Sequence, residues 1–167
     1  RYSLMAGEHS LDAHAHEEAL AMFQQGMAAK EGHEMDADSA SLLFGLGRAQ
    51  LATLGRSQIP EALGNLDRAF EYFTASGDVE RAVAVAEHPL PNLVALNTGA
   101  IKRISRALGM VPPDSRTAGR LLSMLGRIAG YDDGGYEASQ SAFSRALEIA
   151  RRKDDPALEL TTLAGES

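Results

Sequence analysis

The sequence predicts an all-α fold built as an α-solenoid, an array of antiparallel helix pairs, and three observations predict it. Between Ile59 and Phe73 the apolar side chains recur in steps of three and four, which places them on one helical stripe. A pattern of small and large residues then recurs four times at nearly constant spacing. Finally, 44% of the residues are hydrophobic but only 5% are aromatic, which favours closely packed helices over sheet.

The recurring pattern is a small residue, a large apolar residue four positions later, a small one three further, and an apolar one next. Its four copies are Ala19, Phe23, Gly26, Met27; Ala62, Leu66, Ala69, Phe70; Ala100, Ile104, Ala107, Leu108; and Ser139, Phe143, Ala146, Leu147. We interpret each copy as the second helix of a pair. The preceding first helix carries a large residue followed by a small one, at Leu46-Gly47, at Leu125-Gly126 and, more weakly, at Ala6-Gly7.

Glycine, proline and acidic residues predict where the helices begin and end. We expect nine helices, near residues 1–13, 16–31, 38–55, 60–76, 78–88, 97–109, 115–130, 135–153 and 156–165. They form one repeat domain over residues 1–167, with units at about 1–36, 37–77, 78–113 and 114–154 and a partial fifth unit at 155–167. Two prolines between residues 89 and 97 make the third unit the most irregular one.

Composition and charge exclude several classes of function. The chain lacks cysteine, which excludes disulfides and thiolate metal sites. Its net charge of −7 is concentrated in the first half, which disfavours direct binding of nucleic acid. No apolar run approaches the roughly 20 residues that span a bilayer. We therefore expect a cytoplasmic protein that does not bind membranes. We also expect the sequence to be a fragment of a longer chain, because it begins and stops within predicted helices.

With these patterns in place, the chain resembles tetratricopeptide (TPR) repeats. Phrases such as LLFGLGRAQLA, EALGNLDRAFEYF and AFSRALEIARRKDDPALELTTLA look, more narrowly, like the helical-repeat region of MalT/LuxR-type bacterial transcriptional regulators. The resemblance implies a right-handed superhelix. It also implies a sensor or interaction module inside a signal-transducing ATPase that carries a separate helix-turn-helix DNA-binding domain.

Stacked helix pairs predict a binding module rather than an enzyme, because they offer an extended concave face lined by the first helices. Counting from the Leu-Gly pairs, we expect that face to contain Phe44, Arg48, Arg81, Arg120, Arg127 and Tyr131, together with Leu51, Val85 and Ser123. Its arginines would suit an acidic peptide or another anionic ligand. The alternative is that these arginines pair with local carboxylates or face water.

The expected partner of this face is a protein, a peptide or a small inducer. The alternative function is a free-standing TPR scaffold for the assembly of protein complexes. A further possibility is homo-oligomerisation through the C-terminal helix, around Leu158, Leu160 and Leu163.

We predict no catalytic, cofactor or metal site. His14 and His16 are two positions apart, so they cannot share one ion on a helix. Gly45-Leu46-Gly47 imitates a dinucleotide-binding turn, but Gln50 replaces its third glycine and no strand precedes it.

Overall fold

The fold is all-α, as predicted, in the part of the chain that the structure describes. The structure is a computed structural model, and it describes residues 2–53, 59–90, 98–130 and 135–166. Within these ranges every regular element is a helix. The chain divides into two compact units, unit 1 (Arg1–His88) and unit 2 (Pro89–Ser167).

The described helices lie close to the nine predicted ones. Unit 1 contains α1 (Tyr2–Asp12), α2 (His16–Ala28), α3 (Ala37–Thr53), α4 (Ile59–Ala75) and α5 (Val79–Ala86). Unit 2 contains α6 (Thr98–Leu108), α7 (Arg116–Ala129), α8 (Tyr136–Arg152) and α9 (Pro156–Glu166). We call α1, α3, α5, α7 and α9 the first helices, and α2, α4, α6 and α8 the second helices.

Short polar segments set these helix boundaries. The carboxylate of Asp78 accepts the backbone N–H of Arg81 at 3.1 Å and caps α5, and the Ser115 hydroxyl caps α7 through the N–H of Ala118 at 3.0 Å. Gly77 has a φ of +75°, which stops α4 as predicted. α2 ends at Ala28, three residues earlier than expected, because turn hydrogen bonds take over before Gly32.

In unit 1 the ring of Phe23 lies between two glycines. A methyl group at Gly7 of α1 would lie 2.6 Å from this ring, and one at Gly45 of α3 would lie 2.3 Å from it. Phe23 is fully buried, and only glycine leaves room for the ring on both sides. The second helix α2 therefore packs closely against the first helices before and after it.

Unit 2 repeats this arrangement around Phe143. A methyl group at Gly126 of α7 would lie 2.7 Å from the Phe143 ring, and one at Gly165 of α9 would lie 3.4 Å from it. Phe143 is 3% exposed. Gly165 follows Phe143 by 22 residues, the same separation as between Phe23 and Gly45.

The contacts also give the direction of the helices. Gly119 and Gly126 of α7 face Ile149 and Phe143 of α8 in reverse order, so these helices are antiparallel. α1–α2 and α3–α4 are antiparallel by the same criterion. The first helices α7 and α9 run parallel, because Gly119 faces Leu158 and Arg127 faces Gly165.

The predicted size pattern is confirmed at the packing level. The first three positions of all four copies are buried, with Ala19, Phe23, Ala62, Leu66, Ala69 and Ala107 all at 0% exposure. The glycines at 7, 47 and 126 each face the large residue of the predicted partner helix, namely Phe23, Leu66 and Phe143. Alternating size thus lets neighbouring helices approach closely.

The division between the units falls inside the third predicted helix pair. α5 belongs to unit 1 and α6 to unit 2, and residues 91–97 between them lie outside the described residues. The pairing of α5 with α6, and the prediction of one continuous repeat domain, therefore stay predictions.

Candidate functional site

The candidate site begins with one narrow stripe on α3. Between Ser39 and Leu51 this helix is buried except at Ser41, Phe44 and Arg48, and these residues, with Ala37 and Ala52 at either end, lie along a single line in steps of three and four. Such a line is one face of a helix. We call Ala37, Ser41, Phe44 and Arg48 the α3 stripe.

The preceding first helix reaches the stripe at Arg48. Nη1 of Arg48 donates to Oε2 of Glu8 in α1 at 2.8 Å, and both side chains are partly exposed. The Arg48 guanidinium carbon also lies 5.3 Å from the centre of the Phe44 ring, within cation–π range. One end of the stripe therefore combines an aromatic ring with a paired charge.

The following first helix reaches the stripe through Arg81. Nη1 of Arg81 donates to Oγ of Ser41 at 3.4 Å, and Nε donates to Oδ2 of Asp78 at 2.6 Å. Its guanidinium carbon lies 4.7 Å from the centre of the Phe73 ring. Arg81 is therefore held in place by a carboxylate, a hydroxyl and an aromatic face.

Asp78 is the electrostatic partner at this end of the stripe. The backbone N–H of Arg81 and the Arg81 side chain both donate to Asp78. These hydrogen bonds, the backbone one most, lower the pKa of the Asp78 carboxyl. The carboxylate therefore stays charged, caps α5 and orients Arg81 at the same time.

A residue two positions after the end of α5 completes the face. The ring of His88 meets the ring of Phe44 edge-on, with 6.0 Å between centres and an angle of 84° between planes. Residues from α1, α3 and α5, three successive first helices, thus border one face of unit 1. Two of the contacts between them, Glu8–Arg48 and Ser41–Arg81, join residues that are 40 positions apart.

An open depression of about 530 Å³ adjoins the face at the α4–α5 turn. Its lining consists of Ala37, Tyr72, Ser76, Gly77, Asp78, Val79, Glu80 and Arg81. Its size falls within the range of roughly 300–1,000 Å³ for small-molecule sites, but its lining mixes charged with apolar groups and it opens widely to solvent. It suits a side chain of a bound segment better than an enclosed ligand.

The predicted arginines of unit 2 lie on α7. Arg120 and Arg127 are exposed, and Nη2 of Arg120 donates to Thr117 Oγ1 at 3.2 Å. The aliphatic stem of Arg127 covers Gly165 of α9. Tyr131 lies outside the described residues.

Four residues that we expected at the surface are buried instead. Leu51, Val85 and Ser123 were predicted on the concave face, and their exposures are 4%, 0% and 2%. Between Ser39 and Leu51 the exposed line of α3 is only one residue wide, because neighbouring helices cover both of its flanks. Leu158, predicted for oligomerisation, is 5% exposed and faces Gly119 of α7.

Sequence reasoning missed Glu8 and His88. Glu8 follows Gly7 as Arg48 follows Gly47 and Arg127 follows Gly126, so these three residues hold the same position in three first helices. Aligning the first helices on their glycines would have placed Glu8 beside Arg48. No comparable signal points to His88, whose position depends on how α5 ends.

The face of unit 1 combines an aromatic ring, two oriented guanidinium groups and their paired carboxylates. The described residues contain no group of three or more His, Cys, Asp or Glu side chains that could hold a metal ion. Among the described helices, none has the length and apolar character needed to cross a membrane.

Comparison with protein-family models, with curated proteins and with solved structures gave no match to the chain.

Proposed function

We propose that the protein is a helical-repeat binding module whose α3 stripe, with Arg81 and His88, binds a segment of a partner protein. The burial of α3 between Ser39 and Leu51, everywhere except at this stripe, supports the proposal most strongly. A helix held so tightly presents its few surface residues in fixed positions, which reduces the entropy lost on binding.

The proposed site has an apolar centre with charged neighbours. Phe44 is half-buried and can accept an apolar side chain of the partner. Arg48 and Arg81 already pair with Glu8 and Asp78, so the face of unit 1 does not attract anions in general. It suits a segment that places an apolar side chain on Phe44 and a carboxylate or carbonyl near one arginine.

We propose further that the helix pairs stack as a TPR-like right-handed superhelix. Contacts between successive first helices support this stacking, since Glu8–Arg48 and Ser41–Arg81 each join residues 40 positions apart. In unit 2 the parallel packing of α7 and α9 repeats the relation. Neighbour-only contacts of this kind are typical of solenoids.

The resemblance to MalT/LuxR-type regulators leads to the finer proposal of a sensor or interaction module in a bacterial, cytoplasmic signal-transducing regulator. The free-standing scaffold would use the same face. The sequence of the full gene separates the two: a phosphate-loop ATPase before this region and a helix-turn-helix domain after it support the regulator.

Selection of peptides from a random display library on the purified protein tests the binding site. We expect enriched peptides to lose affinity about tenfold or more with Phe44→Ala and with Arg48→Ala. Arg68→Ala, on the exposed side of α4, is the matched control and should leave affinity unchanged. Enriched peptides that bind the Phe44 and Arg48 variants as well as they bind the parent would contradict the site.

A further inference from the structure

The contacts of Phe23 with Gly45 and of Phe143 with Gly165 show that α3 and α9 hold equivalent positions in the repeat pattern. Gly45 contacts Phe23, and Gly165 contacts Phe143, with 22 residues between glycine and ring in both cases. Position 40 of α3 then corresponds to position 160 of α9, and position 43 to position 163. These two helices can therefore be compared residue by residue.

In α3 the corresponding residues face a second helix. Ala40, Leu43 and Gly47 lie on one line of α3 in steps of three and four. Gly47 packs against the Ala62 carbonyl and Leu66 of α4, and Gln50, one turn further, hydrogen-bonds to α4. Ala40 and Leu43 are 0% and 1% exposed.

In α9 the same positions carry large apolar side chains at the surface. Leu160 is 69% exposed and Leu163 is 41% exposed. The opposite side of α9 behaves like that of α3, because Gly165 meets Phe143 and Thr162 is fully buried. The exposed large apolar side chains of α9 therefore lie on the side that α4 occupies on α3, while the smaller Ala157, Thr161 and Ala164 are exposed at the positions of the α3 stripe.

We infer that Leu160 and Leu163 form a docking face for one amphipathic helix of the α4 type. Such a helix carries alternating small and large residues on its buried stripe, as Ala62, Leu66 and Ala69 do in α4. This inference concerns a different side of the repeat from the α3 stripe and does not depend on the proposed function.

A second copy of the chain does not suit this face. The stripes of its own α4 and α8 are buried, so it has no second helix to offer. Two leucines on an 11-residue helix also provide far less than the roughly 800 Å² per partner that a stable dimer buries. A single helix joined to the chain, as in the experiment below, needs no such area because the linkage holds it nearby.

The helix α1 of unit 1 behaves in the same way. Aligning Gly7 with Gly47 makes Tyr2 and Met5 of α1 correspond to Leu42 and Gly45, which face α2. Tyr2 and Met5 are 80% and 73% exposed. α1 and α9 therefore both expose apolar residues at positions where a second helix packs against α3.

The experiment appends a copy of residues 48–75 directly after Ser167, which keeps the register because residue 167 corresponds to residue 47. The appended helix should raise the melting temperature of unit 2 by about 4 °C or more. Leu160→Gln/Leu163→Gln should remove most of this increase while leaving the unextended chain nearly unchanged. Tyr2→Gln/Met5→Gln is the matched control and should leave the increase intact.

A second variant changes only the added helix, with glutamine at the position copied from Leu66, and should also lose the increase. An extended chain without any increase, or an increase that survives Leu160→Gln/Leu163→Gln, would overturn the inference. Sedimentation equilibrium of the unextended chain gives the remaining outcome. A dimer that becomes monomeric with Leu160→Gln/Leu163→Gln would assign the face to a second copy and overturn the inference as well.

Discussion

In unit 1 the Phe23 ring lies between Gly7 and Gly45, and in unit 2 the Phe143 ring lies between Gly126 and Gly165. The surfaces built on these similar cores differ. Unit 1 carries 6 Lys and Arg against 14 Asp and Glu, a net charge of −8, whereas unit 2 carries 10 against 9, a net charge of +1. Packing is repeated while charge varies, so the differences that matter for binding lie on the exposed stripes.

One repeat position illustrates this difference. The residue after the packed glycine is Glu8 in α1, Arg48 in α3 and Arg127 in α7. In unit 1 two of these side chains neutralise each other at 2.8 Å. In unit 2 the Arg127 stem covers Gly165, and its guanidinium lies at the surface.

The largest expected effects come from the two rings. Phe23→Ala and Phe143→Ala should each lower the free energy of unfolding by about 3–5 kcal/mol, because each leaves a cavity between two glycines. Urea unfolding measures the loss of stability. Hydrogen exchange of each variant then locates that loss in unit 1 or unit 2. Phe44→Ala, half-buried on the α3 stripe, should cost about 1 kcal/mol or less. A loss for Phe143→Ala no greater than that for Phe44→Ala would contradict the comparison.

A buried polar bridge in unit 1 should give the next largest effect. Gln50 accepts from Asn65 Nδ2 at 3.0 Å and donates to Glu61 at 2.9 Å, and the corresponding residue of α7 is Ala129. Gln50→Ala leaves the Asn65 amide buried without this acceptor and should cost about 1–3 kcal/mol in chemical denaturation. Adding Asn65→Ala should recover part of that loss, whereas purely additive costs would argue against the bridge.

Acid should destabilise unit 1 through its capping carboxylates. A Lys30 side-chain hydrogen bond, together with the Ser39 donors, lowers the pKa of Asp36, and the Arg81 backbone N–H lowers that of Asp78. Because the folded pKa values lie below the ordinary value of 3.8, their stabilisation is present above pH 3.8 and is lost as pH falls further. Asp78→Asn should lower the urea midpoint at pH 7 and flatten its decline below pH 4. Asp12→Asn, exposed at the end of α1, is the control. An unchanged pH profile for Asp78→Asn would contradict this assignment.

The smallest expected effect belongs to Glu8–Arg48. Both side chains are partly exposed, so Glu8→Gln should change stability by only about 0–1 kcal/mol. Its effect on partner binding should be larger, since it releases Arg48 and raises affinity for acidic peptides. Titration of wild type and of Glu8→Gln with one acidic peptide compares the affinity when Arg48 is paired with Glu8 and when it is not. Equal affinities would show that Arg48 does not contact the peptide.

The pattern of residue sizes predicted which helices form pairs. It did not predict the contacts between one helix pair and the next. Alternating sizes predicted that the helix with Gly7 pairs with the helix with Phe23, and that the helix with Gly126 pairs with the helix with Phe143; the structure shows that these residues themselves are in contact. The contact between Gly45 and Phe23 was not predicted, because it belongs to the next pair, where Gly45 looked like part of a dinucleotide turn.

The site was less predictable than the core. Phe44, Arg48 and Arg81 do border one face in unit 1, but their partners Glu8 and His88 come from distant positions. Leu51 follows Arg48 by three residues and is buried, whereas Ala52 at four residues is exposed. A shift of one residue on a helix changes the direction of a side chain by 100°, and side-chain spacing alone does not resolve that difference.

The central claim is that first and second helices approach closely because glycine faces a large ring in each unit. A double-mutant cycle with Gly45→Ala and Phe23→Leu in unit 1, and with Gly126→Ala and Phe143→Leu in unit 2, tests it directly. The glycine substitutions place a methyl group 2.3 and 2.7 Å from a ring, while Gly64→Ala in α4 meets no atom within 4 Å and serves as control. We predict that each double variant loses at least about 1 kcal/mol less than its two single variants combined. Additivity within about 0.5 kcal/mol in both units would contradict the claim.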